Sequence, residues 1–150
     1  MYIISKIVDG DGFFVKNLLK IEEFEVRLLG IDAPEIKKCR KLLQDEKELH
    51  LPGQLLMKLG QQSFAYLRAL AKVGESVRIV SEIGNEIDVY GRVLAYAYLS
   101  DGTCINQKLI EDGYAKPFNE YYCRELSNYQ LMNMTARIEG KGLYSQINRF

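Results

Sequence analysis

Apolar, β-branched runs on either side of a polar Asp-Gly turn open the chain. They predict strands over 3–8 and 13–16, joined by the turn Asp9-Gly10-Asp11-Gly12, in which the glycines are expected to supply positive φ. A third strand is expected over 24–29, FEVRLL, with Phe24, Val26 and Leu28 on one face and Glu25 and Arg27 on the other. Pro34 bars its continuation past GIDAPE. From 36 to 53 the pattern is charged and irregular and reads as a long loop, with at most a helical turn over 41–49.

Beyond the loop, Phe64, Leu67, Leu70 and Ala71 recur at helical spacing over 61–73, and Gly74 stops that helix. SVRIV is a strand and GNEID a turn. VYGRVLAYAYL reads as one long strand over 89–99, in which Val93, Ala95 and Ala97 alternate with Leu94, Tyr96 and Tyr98. A short helix, INQKLIEDG, closes at Gly113. A last one is expected over 122–139, with Leu126, Tyr129, Met132 or Met134, and Ile138 as its apolar stripe. No repeat or break in composition interrupts this order, so residues 1–150 are expected to form one domain. Five twisted strands with interspersed helices predict an α+β chain built as a small closed barrel with helices outside.

Composition narrows the function classes. A chain of 150 residues, 47% hydrophobic and 27% charged, is long enough for a real core. It has no apolar run able to span a bilayer, and no secretory leader is expected after Met1. It reads as cytoplasmic by default, or as the mature part of an exported protein. Three cysteines, Cys39, Cys104 and Cys123, are too few and too scattered for a disulfide framework or a zinc site, and Cys104 reads as a small core residue. The one histidine, His50, reads as a loop residue rather than a base. Zero net charge disfavours a module that lives by non-specific phosphate binding. The one basic cluster is Lys37, Lys38, Arg40 and Lys41.

Candidate chemistry gathers at strand ends. An Asp-Gly step between apolar runs is in the first place a hairpin turn. Two acids there, Asp9 and Asp11, also suit a hard cation, because neighbouring carboxylates repel unless positive charge separates them. Arg27 lies on the third strand, and Asp32 and Glu35 follow it. Asp88, Tyr90 and Arg92 stand where the long strand begins. Closing a barrel could bring these to one rim. Carboxylate oxygens suit Ca²⁺ or Mg²⁺, and paired guanidinium forks suit a phosphate whose charge grows in a transition state. The plain alternative pairs Arg27 with Glu25 or Glu23 across strands, and Arg92 with Asp88.

VDGDGF, VRLLGIDAPE, DVYGRVLAYAY and DGTCINQKLIEDGYAK, in this order and at similar spacing, strongly resemble the thermonuclease (staphylococcal nuclease-like) family. The resemblance runs from Ile3 to about Tyr144. It implies an OB-type five-stranded closed β-barrel with three helices packed outside. It also implies a calcium-dependent phosphodiesterase that cleaves DNA, with RNA as a second candidate substrate, and leaves 3′-phosphate ends. By position, Asp11 and Asp32 match calcium-binding aspartates, and Ala33 stands where a backbone carbonyl completes that site. Asp9 matches a supporting acid, Glu35 the general base, and Arg27 and Arg92 the arginines on the scissile phosphate. Tyr90 matches a tyrosine on a terminal phosphate, and Tyr121 falls near one that packs against a nucleotide.

Several positions depart from the family pattern. Val89 replaces a lysine common beside Tyr90, the PFNEYY stretch aligns poorly, and Leu143-Tyr144 stands for a terminal Leu-Trp. The loop after Glu35 is longer, and its cations Lys37, Lys38, Arg40 and Lys41 are expected to grip phosphates flanking the scissile one. The competing reading is a non-catalytic OB-type module that binds nucleic acid through aromatics and a basic groove. No membrane association and no obligate protein partner is expected.

Overall fold

Antiparallel pairing carries the first three strands, β1 (Tyr2–Asp9), β2 (Gly12–Asn17) and β3 (Glu22–Leu28), side by side. The computed structural model describes all 150 residues. Three further strands follow: β4 (Ile31–Asp32), β5 (Ser76–Val80) and β6 (Val93–Leu99). β3 pairs in parallel with β6, β6 antiparallel with β5, and β5 antiparallel with β1, which closes a five-stranded barrel in the order β1-β2-β3-β6-β5. Period-two sorting holds in β2 and β3, where Phe13, Val15, Val26 and Leu28 are fully buried inside it, whereas in β1 an irregularity between Ile4 and Lys6 sets the buried residues Ile4 and Ile7 three apart.

Four helices lie outside the barrel, one more than expected: α1 (Arg40–Leu49), α2 (Gly53–Leu70), α3 (Ile105–Glu111) and α4 (Leu126–Glu139). The additional one is α1, which fills most of the segment read as a loop. Its support is local: Leu42 is buried, while Lys41–Asp45 and Gln44–Glu48 make i,i+4 links. Scattered leucines in a charged run hid this period. His50 ends α1 in the left-handed region at φ 56°, exposed, as a loop residue. α2 begins at Gly53, well before the expected start, because Leu56 and Leu59 extend the buried stripe that continues through Ser63 and Leu67.

Other boundaries shift for identifiable reasons. β6 starts at Val93 rather than at 89, because the Asp88 Oδ1 accepts hydrogen bonds from the backbone N–H groups of Tyr90 and Arg92 and folds 88–92 into a turn. α4 starts at Leu126, with Tyr129 and Ala136 buried, whereas Met134 and Ile138 face solvent. Among the cysteines it is Cys123 that enters the core, and Cys104 is half-buried. No helix is long and apolar enough to cross a membrane.

Two features fix the rim of the barrel beyond β3. A seventh strand, β7 (Lys116–Pro117), forms a two-stranded ribbon with β4 that pairs Asp32 with Lys116. The Asn106 side chain, fully buried at the start of α3, donates to the Leu29 and Ala95 carbonyls and accepts from the Ala97 N–H. One amide therefore ties α3 to β6 and to the turn before Asp32. Asn106→Leu, similar in size, would take this partner from the buried Leu29 carbonyl and Ala97 N–H, while the Ala95 carbonyl keeps the Leu29 N–H. A loss of about 2–4 kcal/mol in urea unfolding is expected.

Candidate active site

The D-G-D-G turn is built for close packing. Neither Gly10 nor Gly12 has a positive φ, contrary to expectation. A Cβ on Gly10 would lie 2.8 Å from the Cβ atoms of both Ala33 and Ser63. Gly10 is needed because the hairpin presses between the 33–35 turn and α2. Gly60, one turn before Ser63 on α2, meets the same segment from the other side: a Cβ there would lie 2.5 Å from the Glu35 carbonyl oxygen and 2.6 Å from that of Pro34. Two glycines and a serine thus let the hairpin, the 33–35 turn and α2 converge.

Arg27 stands at the centre. The β2–β3 register sets it opposite Gly12, beside the hairpin turn, and the Leu28 N–H donates to the Asp11 carbonyl at 2.9 Å. Its Nη2 lies 3.4 Å from Asp11 Oδ2 and 3.4 Å from Asp32 Oδ1, and the three side chains are 11%, 8% and 6% exposed. Nη1 donates to the carbonyls of Leu28 (3.0 Å) and Ile31 (2.9 Å), and the guanidinium lies 5.8 Å from the centre of the Phe118 ring. Arg27 does not use Glu23 or Glu25, which lie on the same strand β3. Asp11 Oδ2 also accepts the Ala33 N–H at 2.9 Å, and Asp9 Oδ1 accepts the Asp11 N–H at 3.1 Å.

Burial pushes the Asp11 carboxyl up to about 7, with the Asp9 charge adding to the rise and Arg27 opposing it. Glu35 is half-buried and makes no hydrogen bond or ion pair. Burial, and then the charges of Asp11 and Asp32, raise its carboxyl above the ordinary value. The site thus holds one unpaired carboxylate beside two paired ones.

The remaining candidates divide. Arg92 is in the arrangement of the plain alternative: its Nε lies 2.7 Å from Asp88 Oδ2 and its Nη1 3.9 Å from Glu25 Oε2. The parallel β3–β6 register puts it level with Glu25, one residue pair back along the same face from Arg27. Tyr90 is exposed, 5.5 Å from the Arg92 guanidinium, as is Val89. Tyr121 packs on Phe118 at 4.8 Å, and burial raises its phenol above the ordinary value, with nearby Arg27 opposing the rise.

Lys37, Lys38 and Arg40 are exposed, but Lys41 turns inward to Asp32 (3.1 Å) and to both oxygens of Asp45 (2.9 Å). Phe118, Asp45, Gly60 and Asn106 were not singled out in the sequence. Only the Lys41–Asp45 spacing offered a signal, and it needed the helix to be legible. A polar pocket of about 180 Å³ opens between α1 and the segment after β7, lined by Asp32, Lys41, Asp45, Lys116 and Phe118 among others. A larger one of about 420 Å³, along the outer edges of β1, β5 and β6, contains no carboxylate.

Comparison with known proteins follows the same lines. The family model described as staphylococcal nuclease homologue matches residues 25–146, and the chain belongs to that family. It is 25% identical over 148 residues to Endonuclease YhcR of Bacillus subtilis, covering 96% of this chain and 11% of that protein. It is 26% identical to an uncharacterized protein of Methanocaldococcus jannaschii, covering 91% of this chain and 64% of that one. Endonuclease YncB of Bacillus subtilis is 26% identical, covering 95% of this chain and 61% of that one. The chain therefore spans from about a tenth to under two thirds of these relatives' own lengths.

The buried charge at Asp11 gives the apo protein a pH signature. Between the ordinary carboxylate range and about pH 7 the folded state keeps a proton on Asp11 that the unfolded chain has released. This group's contribution to stability is therefore present at low pH and lost as pH rises through 7. Asp11→Asn keeps the shape and removes the charge. In chelator it should raise unfolding stability by about 1–3 kcal/mol near pH 8 and leave it almost unchanged near pH 4, as urea titrations at both pH values would show.

Proposed function

We propose that this chain is a nuclease, a phosphodiesterase acting on DNA, with RNA as a second candidate substrate, and with the reacting phosphate bound at the Arg27–Asp11–Asp32 rim. The observation that carries the reading is the unpaired, half-buried Glu35 beside a guanidinium held rigidly between two buried carboxylates. The family and the endonuclease names of two relatives support it.

The donor set fits a hard divalent cation. Asp11 and Asp32 offer only oxygen, and a single guanidinium serves both, so burial lifts the Asp11 carboxyl. Asp11, Asp32 and the Ala33 carbonyl would hold Ca²⁺, with water completing the shell, since no group of three or more acidic, His or Cys side chains surrounds the place. Asp9 would brace Asp11 through the turn. Bound there, the ion would supply positive charge to the phosphate oxygens.

Glu35 accepts the proton of a water, whose oxygen attacks phosphorus as the bond to the 5′ oxygen breaks, and the 5′ oxygen takes up a proton from solvent water. The products are a 3′-phosphate and a 5′-hydroxyl. Arg27 meets the charge that builds on the phosphate oxygens. Arg92 does so as well once its hold on Asp88 and Glu25, both partly exposed, gives way to substrate. Phe118 and Tyr121 offer an aromatic face to a base, Tyr90 stands at the phosphate end, and Lys37, Lys38 and Arg40 face solvent where flanking phosphates would run.

Single-stranded DNA incubated with protein should be cut with calcium and left intact in chelator, and end analysis should find 3′-phosphates. Glu35→Gln should lower the rate by about 10²–10⁴ with the fold intact and DNA binding retained. A rate within about twofold of wild type would assign the base elsewhere. Binding without cleavage by the wild-type protein would support the OB-type binding module instead.

Neutralising Lys37, Lys38 and Arg40 together should raise KM and flatten its dependence on salt while kcat stays close to wild type. Steady-state kinetics at two ionic strengths would separate these.

A further inference from the structure

Lys41 is a cation already lodged at the rim. Its Nζ lies 3.1 Å from Asp32 Oδ2, while Arg27 occupies Oδ1 at 3.4 Å, so each oxygen of Asp32 faces a positive charge. The two cations are held very differently. Arg27 is 11% exposed, fixed by two backbone carbonyls and covered by Phe118. Lys41 is 32% exposed on a flexible stem, and it has a second anchor in both carboxylate oxygens of Asp45, one turn along α1. An incoming divalent ion cannot share Asp32 Oδ2 with an ammonium, because like charges in contact repel strongly in a partly buried site. Arg27 has nowhere to go, whereas Lys41 can withdraw wholly onto Asp45.

We propose that Lys41 is a tethered competitor for Asp32, which occupies the outer carboxylate oxygen in the metal-free protein and sets how much divalent cation is needed to displace it. α1 is thereby a tuning element for the site, with Asp45 as the post to which the lysine retreats. The inference rests on the reading of Asp11 and Asp32 as cation ligands. It assigns Lys41 a part in that site in addition to any contact with substrate.

Calorimetric titration of the full chain with Ca²⁺, without DNA, tests it. Lys41→Met keeps the stem and removes the charge, and it should bind about five- to tenfold more tightly than wild type. Asp45→Asn takes away the alternative anchor and should weaken binding about threefold. In the Lys41→Met background, the same Asp45→Asn change should have no effect, because its influence passes through the lysine. Circular dichroism and thermal melts confirm that each variant is folded, and the opposite sign at Asp45 keeps the test intact if Lys41→Met does not fold. Equal or weaker binding by folded Lys41→Met, or an Asp45→Asn effect of the same size in both backgrounds, overturns the proposal. If neither wild type nor Lys41→Met takes up Ca²⁺, the cation reading of Asp11 and Asp32 fails and this inference falls with it. Binding by wild type with no change in the variants overturns the role of Lys41 alone.

Discussion

The Arg27 guanidinium sits between two carboxylates that are almost out of water, 3.4 Å from each, with its other nitrogen bound to the Leu28 and Ile31 carbonyls. Remove it and Asp11 becomes an uncompensated buried charge, among the costliest states a fold can hold, and Asp32 is left with Lys41 alone. Arg27 therefore has a structural duty that binds the end of β3, the first hairpin and the β4 turn together. The same side chain carries the charge that a phosphate requires. Even with this partner, burial lifts the Asp11 carboxyl to about 7, so the rim still favours further positive charge.

That arrangement depends on how closely three segments approach. Gly10, Gly60 and Ser63 leave space for the turn carrying Ala33, Pro34 and Glu35, and the β4–β7 ribbon fixes its other side. Asn106 ties the same turn to β6 and α3 through buried hydrogen bonds. Glu35 is thus carried on backbone held from three directions, while its own carboxylate is left unpaired. Small residues and buried amide bonds set its place, and burial, then the charges of Asp11 and Asp32, raise its proton affinity.

The extra helix alters the balance of the site more than its outline. α1 keeps Lys37, Lys38 and Arg40 on the outside but turns Lys41 inward, so a cluster that reads as one basic run in sequence divides into two functions. Zero net charge is consistent with this division. Positive charge is placed at a few points on the rim instead of being spread over the surface.

The strands of the first thirty residues, the closed barrel and the outward face of Arg27 were legible in the sequence, because apolar runs bounded by turns, and the period of two over 24–29, are local properties that burial on one side enforces. The family motifs named Asp11, Asp32 and Glu35 for the same reason of short spacing. Tertiary structure decided the rest. Arg27 bonds to acids on other segments and not to Glu25, which lies nearer in sequence, because the register opposite Gly12 delivers it to the hairpin. Arg92 pairs with Asp88 because that carboxylate folds residues 88–92 into a turn and delays the start of β6 to Val93. Lys41 reaches Asp32 only because residues 40–49 coil into α1, and Phe118 covers Arg27 only because β7 pairs with β4. Such contacts join groups distant along the chain, and their geometry is set by packing that no local period encodes.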